Sequence, residues 1–206
     1  MRVFLIRHGE TDYSQDRRYC GFSDPPLNEK GISQSMQLGI KFKSIEVDRI
    51  YSSDLKRADE TAKIVFAGRL IKRLRNLREM CFGVFEGLCY EEISKKYSKL
   101  YWQWVENLDN VTVPHGESLK EFRERVLESF SYAIKKRADE NIAIVTHSGP
   151  IRVILNSILK LDTEDFWQIQ QDMASVNIID YSKTFKPKLT KLNDTSHLTI
   201  KKKNPA

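Results

Sequence analysis

Two short apolar runs, far apart in the chain, end in the same way. Val3-Phe-Leu-Ile6 stops at Arg7-His8-Gly9, and Ile142-Ala-Ile-Val-Thr146 stops at His147-Ser148-Gly149. Apolar runs of this length, β-branched and bounded by glycine, suit strands buried on both faces, as in the interior of a parallel sheet. Open α/β sheets bind ligands beyond the carboxyl ends of their strands. As parallel neighbours, the two runs would set His8 and His147 side by side at that edge, with Arg7 beside them. A helix expected from Leu55 to about Ala67, capped by Ser52-Ser53-Asp54, follows a short strand expected over Asp48–Tyr51. Its first turn brings Arg57 to the same edge, where a helix start adds N–H groups and a dipole that favour an anion.

The remaining chain is organised around that edge. Asp12 to Pro26 is polar and rich in turn formers and reads as a long loop. Arg17 and Arg18 lie within it, either meeting an anion beside His8 or simply solvated. Leu27 to Lys43 has helical spacing, with Ile32, Met36, Leu38, Gly39, Ile40 and Phe42 on an apolar face. Arg69 to Leu74 reads as an edge strand. Asn76 to Pro114 is dense in aromatic residues, and two helices are expected in it, from about Tyr90 to Tyr97 and from Lys99 to Asn107. A long amphipathic helix is expected from Glu117 to about Arg137, and another from Ile151 to Leu159. Val176–Tyr181 and Lys186–Lys191 look like late antiparallel strands. The expected architecture is α/β in three layers: a mostly parallel central sheet, helices on both faces, and a small helical and aromatic cap at about 80–115. Residues 1–200 form one domain in this reading, and 201–206 a flexible basic tail.

Composition narrows the function. The formal charge of +6 could suggest a nucleic-acid partner, but it is not spread over the chain. Lys183 to Ala206 holds seven of the 34 basic residues and one of the 28 acidic ones, which leaves 27 of each elsewhere. A nucleic-acid footprint needs basic residues gathered on a folded face, so no nucleic acid is expected. No apolar run approaches the ~20 residues of a membrane span, and the N-terminal run is too short for a signal peptide, so a cytoplasmic protein is expected. Cys20, Cys81 and Cys89 lack metal-ligand spacing and read as reduced thiols.

Phe-Leu-Ile-Arg7-His8-Gly9-Glu10-Thr11, Tyr51-Ser-Ser-Asp-Leu-Lys-Arg57-Ala-Asp-Glu-Thr61-Ala, Arg78-Glu79 and Val145-Thr146-His147-Ser-Gly149 together resemble the histidine phosphatase superfamily. That superfamily includes cofactor-dependent phosphoglycerate mutases. The resemblance implies that His8 is a nucleophile that becomes phosphorylated, that Arg7, Arg57 and His147 hold the phosphoryl oxygens, and that Glu79 gives a proton to the leaving group. Ser14, Arg18, Cys20, Gly21 and Ser148 are further candidates for the substrate site. Neither a cofactor nor a metal is implied.

The chemistry is coherent without the resemblance. Two arginines balance a phosphate dianion and match its oxygens with paired donors. His8 must keep a neutral attacking nitrogen, so its other nitrogen should donate to a backbone carbonyl. An alkoxide needs a proton to leave, and Glu79 near Phe82 and Phe85 would carry one.

Many members of the superfamily have an aromatic-Asn pair shortly after the first motif, where this chain has Tyr13-Ser14. The segment Glu79 to Ile93, with Phe-Gly-x-Phe-Glu-Gly-Leu and Tyr-Glu-Glu-Ile, is similar to the phosphatase branch. With Pro114-His-Gly-Glu-Ser118, it looks most like phosphatases that act on alpha-ribazole 5′-phosphate in cobalamin nucleotide-loop synthesis. The expectation is therefore a phosphomonoesterase acting on a small molecule, monomeric or homodimeric. A phosphoglycerate mutase, a broad sugar or phosphoserine phosphatase, and a noncatalytic phospho-ligand-binding module are the alternatives.

Overall fold

The structure, a computed structural model, describes residues 1–135, 139–161, 168–182 and 186–198. The elements run β1 (Arg2–Arg7), α1 (Asp12–Gln15), α2 (Glu29–Phe42), β2 (Arg49–Ser52), α3 (Lys56–Val65) and β3 (Ile71–Arg73). Then follow α4 (Tyr90–Glu106), α5 (Leu119–Ile134), β4 (Ile142–Thr146), α6 (Ser148–Leu159), β5 (Val176–Asp180) and β6 (Lys188–Asp194). The strands form one sheet in the order β3-β2-β4-β1-β5-β6. The first four of these are mutually parallel, and β5 and β6 complete the sheet by antiparallel pairing. The two apolar runs are neighbours in register, Val3 opposite Ile142 and Arg7 opposite Thr146, so His8 and His147 leave the sheet together.

Strand alternation divides the core between two faces. Phe4, Ile6, Ala143 and Val145 pack against Leu38 and Phe42 of α2 and Ala58, Ala62 and Val65 of α3. Val3, Leu5, Ile142 and Ile144 pack against Phe122, Val126 and Phe130 of α5 and Ile151 and Ile154 of α6. This is the three-layer α/β architecture expected from the two apolar runs. Among the described residues no helix is long and apolar enough to cross a membrane.

The cap differs from expectation in detail. The two helices expected in it are halves of α4, bent where Tyr97 leaves helical geometry (φ −135°, ψ 29°). Phe85 and Trp104 are buried beneath it, and Tyr19, Phe82 and Tyr101 pack on them edge-on or tilted, with centroids 5.9 to 6.3 Å apart. Most of the aromatic residues therefore form a core, while Tyr90 and Trp102 are exposed.

Three expectations are corrected. The stretch read as a loop contains α1, started by a capping box in which Thr11 and Ser14 bond each other's backbone N–H. Helix α3 has Leu55, whose side chain has no acceptor, at its N-cap; Asp24 accepts from the Lys56 N–H at 2.6 Å instead, while Asp54 pairs with Arg78. On α2, Ile32, Met36 and Ile40 face solvent, and Gly31, Gln34, Ser35, Leu38 and Phe42 are buried. The cause is a close backbone approach: a Cβ on Gly31 would stand 2.1 Å from the Glu10 carbonyl oxygen, and one on Gly9 2.5 Å from the Gly31 oxygen. Only small residues fit where α2 meets the Gly9–Glu10 turn, and that contact sets the helix's rotation.

Helix α5 ends at Ile134, short of the expected Arg137, and β6 is the late antiparallel strand expected over Lys186–Lys191, running on to Asp194. The expected tail, 201–206, lies outside the described residues.

Gly31→Ala should cost about 1–3 kcal/mol by forcing two backbones apart, measured by urea unfolding. Met36→Gln, on the exposed side of the same helix, should change stability by no more than about 0.5 kcal/mol.

Candidate active site

Backbone hydrogen bonds carry the sheet's order past the ends of its strands. The His8 N–H donates to the Thr146 carbonyl at 3.0 Å, and the His8 carbonyl accepts from the Ala174 N–H at 3.0 Å. On the far side of β4, the Ser53 N–H donates to the Val145 carbonyl at 2.9 Å. His8 and His147 consequently stand with ring centroids 5.1 Å apart and planes at 63°.

His8 is fixed in one tautomer. Its Nδ1 lies 2.7 Å from the Gly9 carbonyl oxygen, which can only accept, so Nδ1 carries the hydrogen and Nε2 keeps its lone pair. Burial first, then the Arg57 and Arg7 charges, hold its pKa well below the usual histidine value of 6.5. His147 is likewise held neutral, by burial and then by Arg57. Its Nδ1 accepts from Arg57 Nε at 3.2 Å, so Nε2 bears the hydrogen and donates to Ser53 Oγ at 2.9 Å.

The two arginines are buried differently. Arg7 Nη1 donates to the Gln171 carbonyl at 2.5 Å, and Nε is buried without a partner among the described residues. Desolvation lowers the Arg7 pKa to about 10, so the group stays charged at neutral pH. Arg57 is 1% exposed. Besides His147 it donates to the carbonyls of Ser23 (2.7 Å), Cys20 (3.1 Å) and Gly21 (2.8 Å). That uses four of its five N–H groups and leaves one Nη1 hydrogen without a partner among the described residues. No carboxylate of the described residues comes within ion-pair distance of either guanidinium.

Glu79 enters the edge from the segment before the cap and is 7% exposed. Its Oε2 accepts from Ser148 Oγ at 3.1 Å and the Gly149 N–H at 3.0 Å, and its Oε1 accepts from the Met80 N–H at 2.9 Å. The donors to the Glu79 carboxyl are thus two groups at the start of α6 and the N–H of its own neighbour, Met80. Of the two rings expected beside it, Phe82 stands on the wall of the adjacent cavity and Phe85 is in the cap core.

A cavity of about 260 Å³ opens at this edge, lined by Arg7, His8, Ser14, Arg18, Cys20, Glu79 and Ser148 among the expected residues. Arg57, His147 and Gly21 do not line it. Gly21 serves the site through its backbone, its carbonyl on Arg57 and its N–H on Glu86. Ser14 spends its hydroxyl on the Thr11 carbonyl in the α1 cap. Arg18 donates to the Gly87 carbonyl and to Glu92. Sequence reasoning missed Thr11, Tyr19 and Met173 on the wall and Ser53 behind it. Ser53 carried a signal, as a hydroxyl residue at the carboxyl end of a strand. Met173 carried none.

These histidines bind fewer protons folded than unfolded below pH 6.5, as does His197, which burial and Lys41 push down to about 4. Stability should therefore be full above pH 6.5 and decline as pH falls toward the folded-state values. Urea unfolding at pH 7, 6 and 5 should show that decline, and His197→Gln should make it shallower.

The family model of the histidine phosphatase superfamily (branch 1) matches residues 3–195. Phosphoserine phosphatase 1 of Hydrogenobacter thermophilus is 30% identical over 200 residues, covering 96% of this chain and 94% of that protein. Adenosylcobalamin/alpha-ribazole phosphatase of Salmonella typhimurium is 30% identical over 188 residues, covering 90% and 93%. The crystal structure of the alpha-ribazole phosphatase from Shigella flexneri superposes with a TM-score of 0.86 at 28% identity, covering 95% of this chain and 97% of that one. The chain belongs to the histidine phosphatase superfamily, branch 1, and is a phosphoric monoester hydrolase.

Proposed function

We propose that the enzyme hydrolyses a small phosphomonoester without a metal, through a phosphohistidine on His8, and that its best specific substrate is alpha-ribazole 5′-phosphate. The observation that carries the mechanism is the His8 tautomer, with Nδ1 committed to the Gly9 carbonyl and the Nε2 lone pair left to attack. In the first step Nε2 forms a bond to phosphorus as the ester oxygen departs. The Arg7 guanidinium, together with Arg57 and His147 behind the wall, meets the charge on the phosphoryl oxygens. Glu79 gives its proton to the departing oxygen; Oε1, with a single hydrogen bond, is the oxygen with room to carry it. In the second step Glu79 takes a proton from water, the water oxygen bonds to phosphorus, and the phosphorus–Nε2 bond breaks to release phosphate.

The substrate reading is supported by the Salmonella and Shigella relatives and by the cavity wall, where Tyr19 and Phe82 offer rings for a base to stack on. A second reading, phosphoserine, is favoured by Arg17. This exposed cation lines the cavity with its backbone in the left-handed region (φ 54°); its N–H donates to the Ser14 carbonyl at 3.3 Å, while its guanidinium makes no hydrogen bond or ion pair with the described residues. A carboxylate on the substrate would match it. The enzyme is read as cytoplasmic, with a small-molecule phosphomonoester as its partner and no nucleic-acid or membrane partner.

His8→Ala should abolish both turnover and the hydroxylamine-sensitive phosphoenzyme; normal turnover would remove His8 from its role. Activity should survive EDTA. Comparing kcat/KM for alpha-ribazole 5′-phosphate and phosphoserine separates the two substrates, and Arg17→Ala should lower only the phosphoserine value, by about tenfold for one lost charge-assisted contact.

A further inference from the structure

Glu79 lies in irregular backbone between two 3-10 turns, Arg75–Leu77 and Gly83–Phe85, so its neighbouring carbonyls have no strand or helix to bond to. Thr146 Oγ1 donates to the Leu77 carbonyl at 2.6 Å, and one side chain supplies the bonds of the carbonyls on either side of it and of Glu79. Arg125, on α5, donates from Nη1 to the carbonyls of Asn76 (2.9 Å) and Arg78 (2.8 Å), and from Nη2 to that of Glu79 itself (2.8 Å). Its remaining donors go to Glu117, from Nε to Oε2 at 2.8 Å and from Nη2 to Oε1 at 2.5 Å. All five N–H groups are used. Glu117 Oε1 also accepts from the Cys81 N–H at 2.7 Å. A single ion pair thus grips the backbone on both sides of Glu79. The pair is mostly buried, its side chains 17% and 15% exposed, and the rings of Phe122 and Phe22 lie 5.0 and 5.6 Å from the guanidinium carbon.

We propose that Arg125, locked to Glu117, is a positioning residue for the Glu79 carboxyl and so sets how well the leaving group is protonated. The inference rests on the reading of Glu79 as proton donor. The Glu79 carboxyl is itself held at the start of α6, so its place relative to the leaving oxygen depends on both anchors. Misplacing a catalytic group by about 1 Å can cost a hundredfold in rate. Lysine at position 125 would keep the charge opposite Glu117 but would lose the planar fork that spans three carbonyls.

The test compares kcat/KM, which reports the step in which the leaving group departs, on ethyl phosphate, whose leaving group needs a proton, and on p-nitrophenyl phosphate, whose leaving group hardly does. Arg125→Lys should reduce kcat/KM on ethyl phosphate at least tenfold more than on p-nitrophenyl phosphate. In the Glu79→Gln background that extra loss should vanish, since two residues acting as one unit are not additive. Glu117→Gln should show the same leaving-group dependence to a smaller degree, and serves if Arg125→Lys does not fold. Equal losses on both esters, or additive losses in the double variant, overturn the proposal. Leaving-group dependence in Glu79→Gln but not in the Arg125 and Glu117 variants overturns the positioning alone. Its absence in Glu79→Gln overturns the proton-donor reading as well.

Discussion

Two guanidinium groups at the carboxyl edge of the sheet have no carboxylate of the described residues to pair with. Removing such a cation from water costs several kcal/mol unless something compensates it. For Arg57 the compensation is three carbonyl dipoles and an imidazole; for Arg7 it is one carbonyl, with a buried Nε left over. Dipoles of this kind hold a cation in place without neutralising it, so the edge keeps a positive field that a phosphoryl dianion completes. The same field, added to burial, keeps His8 and His147 unprotonated. On the proposed mechanism, attraction for the anion and availability of the His8 nucleophile therefore have one origin.

That origin requires the loop beneath Arg57 to present its carbonyls inward, which turns its N–H groups outward. Glu86 collects them. Its carboxylate accepts from the N–H groups of Gly21, Phe22, Ser23 and Phe82 and from the Ser23 hydroxyl, at 2.6 to 3.1 Å. A side chain at position 21 would not fit, because its Cβ would stand 2.0 Å from the Met80 carbonyl oxygen and 2.3 Å from Glu86 Oε1. The cap is joined to the edge by this carboxylate and by the Glu117–Arg125 pair, both outside the cavity. The charged groups in the site are thus oriented by charged groups one step removed.

What the sequence discloses follows from how local each determinant is. The buried strands are legible because a run of apolar residues between polar ends has one plausible placement, and the paired histidines follow from it. The edge position of β3 and the antiparallel β5 and β6 are legible for similar reasons. The exposed Ile32, Met36 and Ile40 stripe is not, because α2 is rotated by a contact between Gly31 and Glu10 that periodicity alone does not encode. Helix α1 is hidden among turn formers, and its reciprocal Thr11–Ser14 cap becomes visible only when Ser14 is read as a cap and not as a ligand. Arg57 is legible as a site residue, but its burial behind the wall depends on where Cys20 to Ser23 fold back.

Within the cavity, the groups that would hold a phosphoryl group are separate from those that would meet the rest of a substrate. Phosphoserine phosphatase 1 of Hydrogenobacter thermophilus and the alpha-ribazole phosphatase of Salmonella are each 30% identical to this chain, so overall similarity favours neither. On the proposed mechanism Arg7, His8, Glu79 and Ser148 face the phosphoryl group, which every phosphomonoester shares. Discrimination must then come from the wall that faces the rest of the molecule, formed by Arg17, Arg18, Tyr19, Phe82 and Met173. Arg18 is already engaged by Glu92 of the cap, whereas Arg17 makes no such bond with the described residues. A neutral, aromatic alcohol portion would be favoured by the Tyr19 and Phe82 rings, and an anionic one by Arg17. On that reading the balance between those two surfaces, and not the sheet edge they share, would select the substrate.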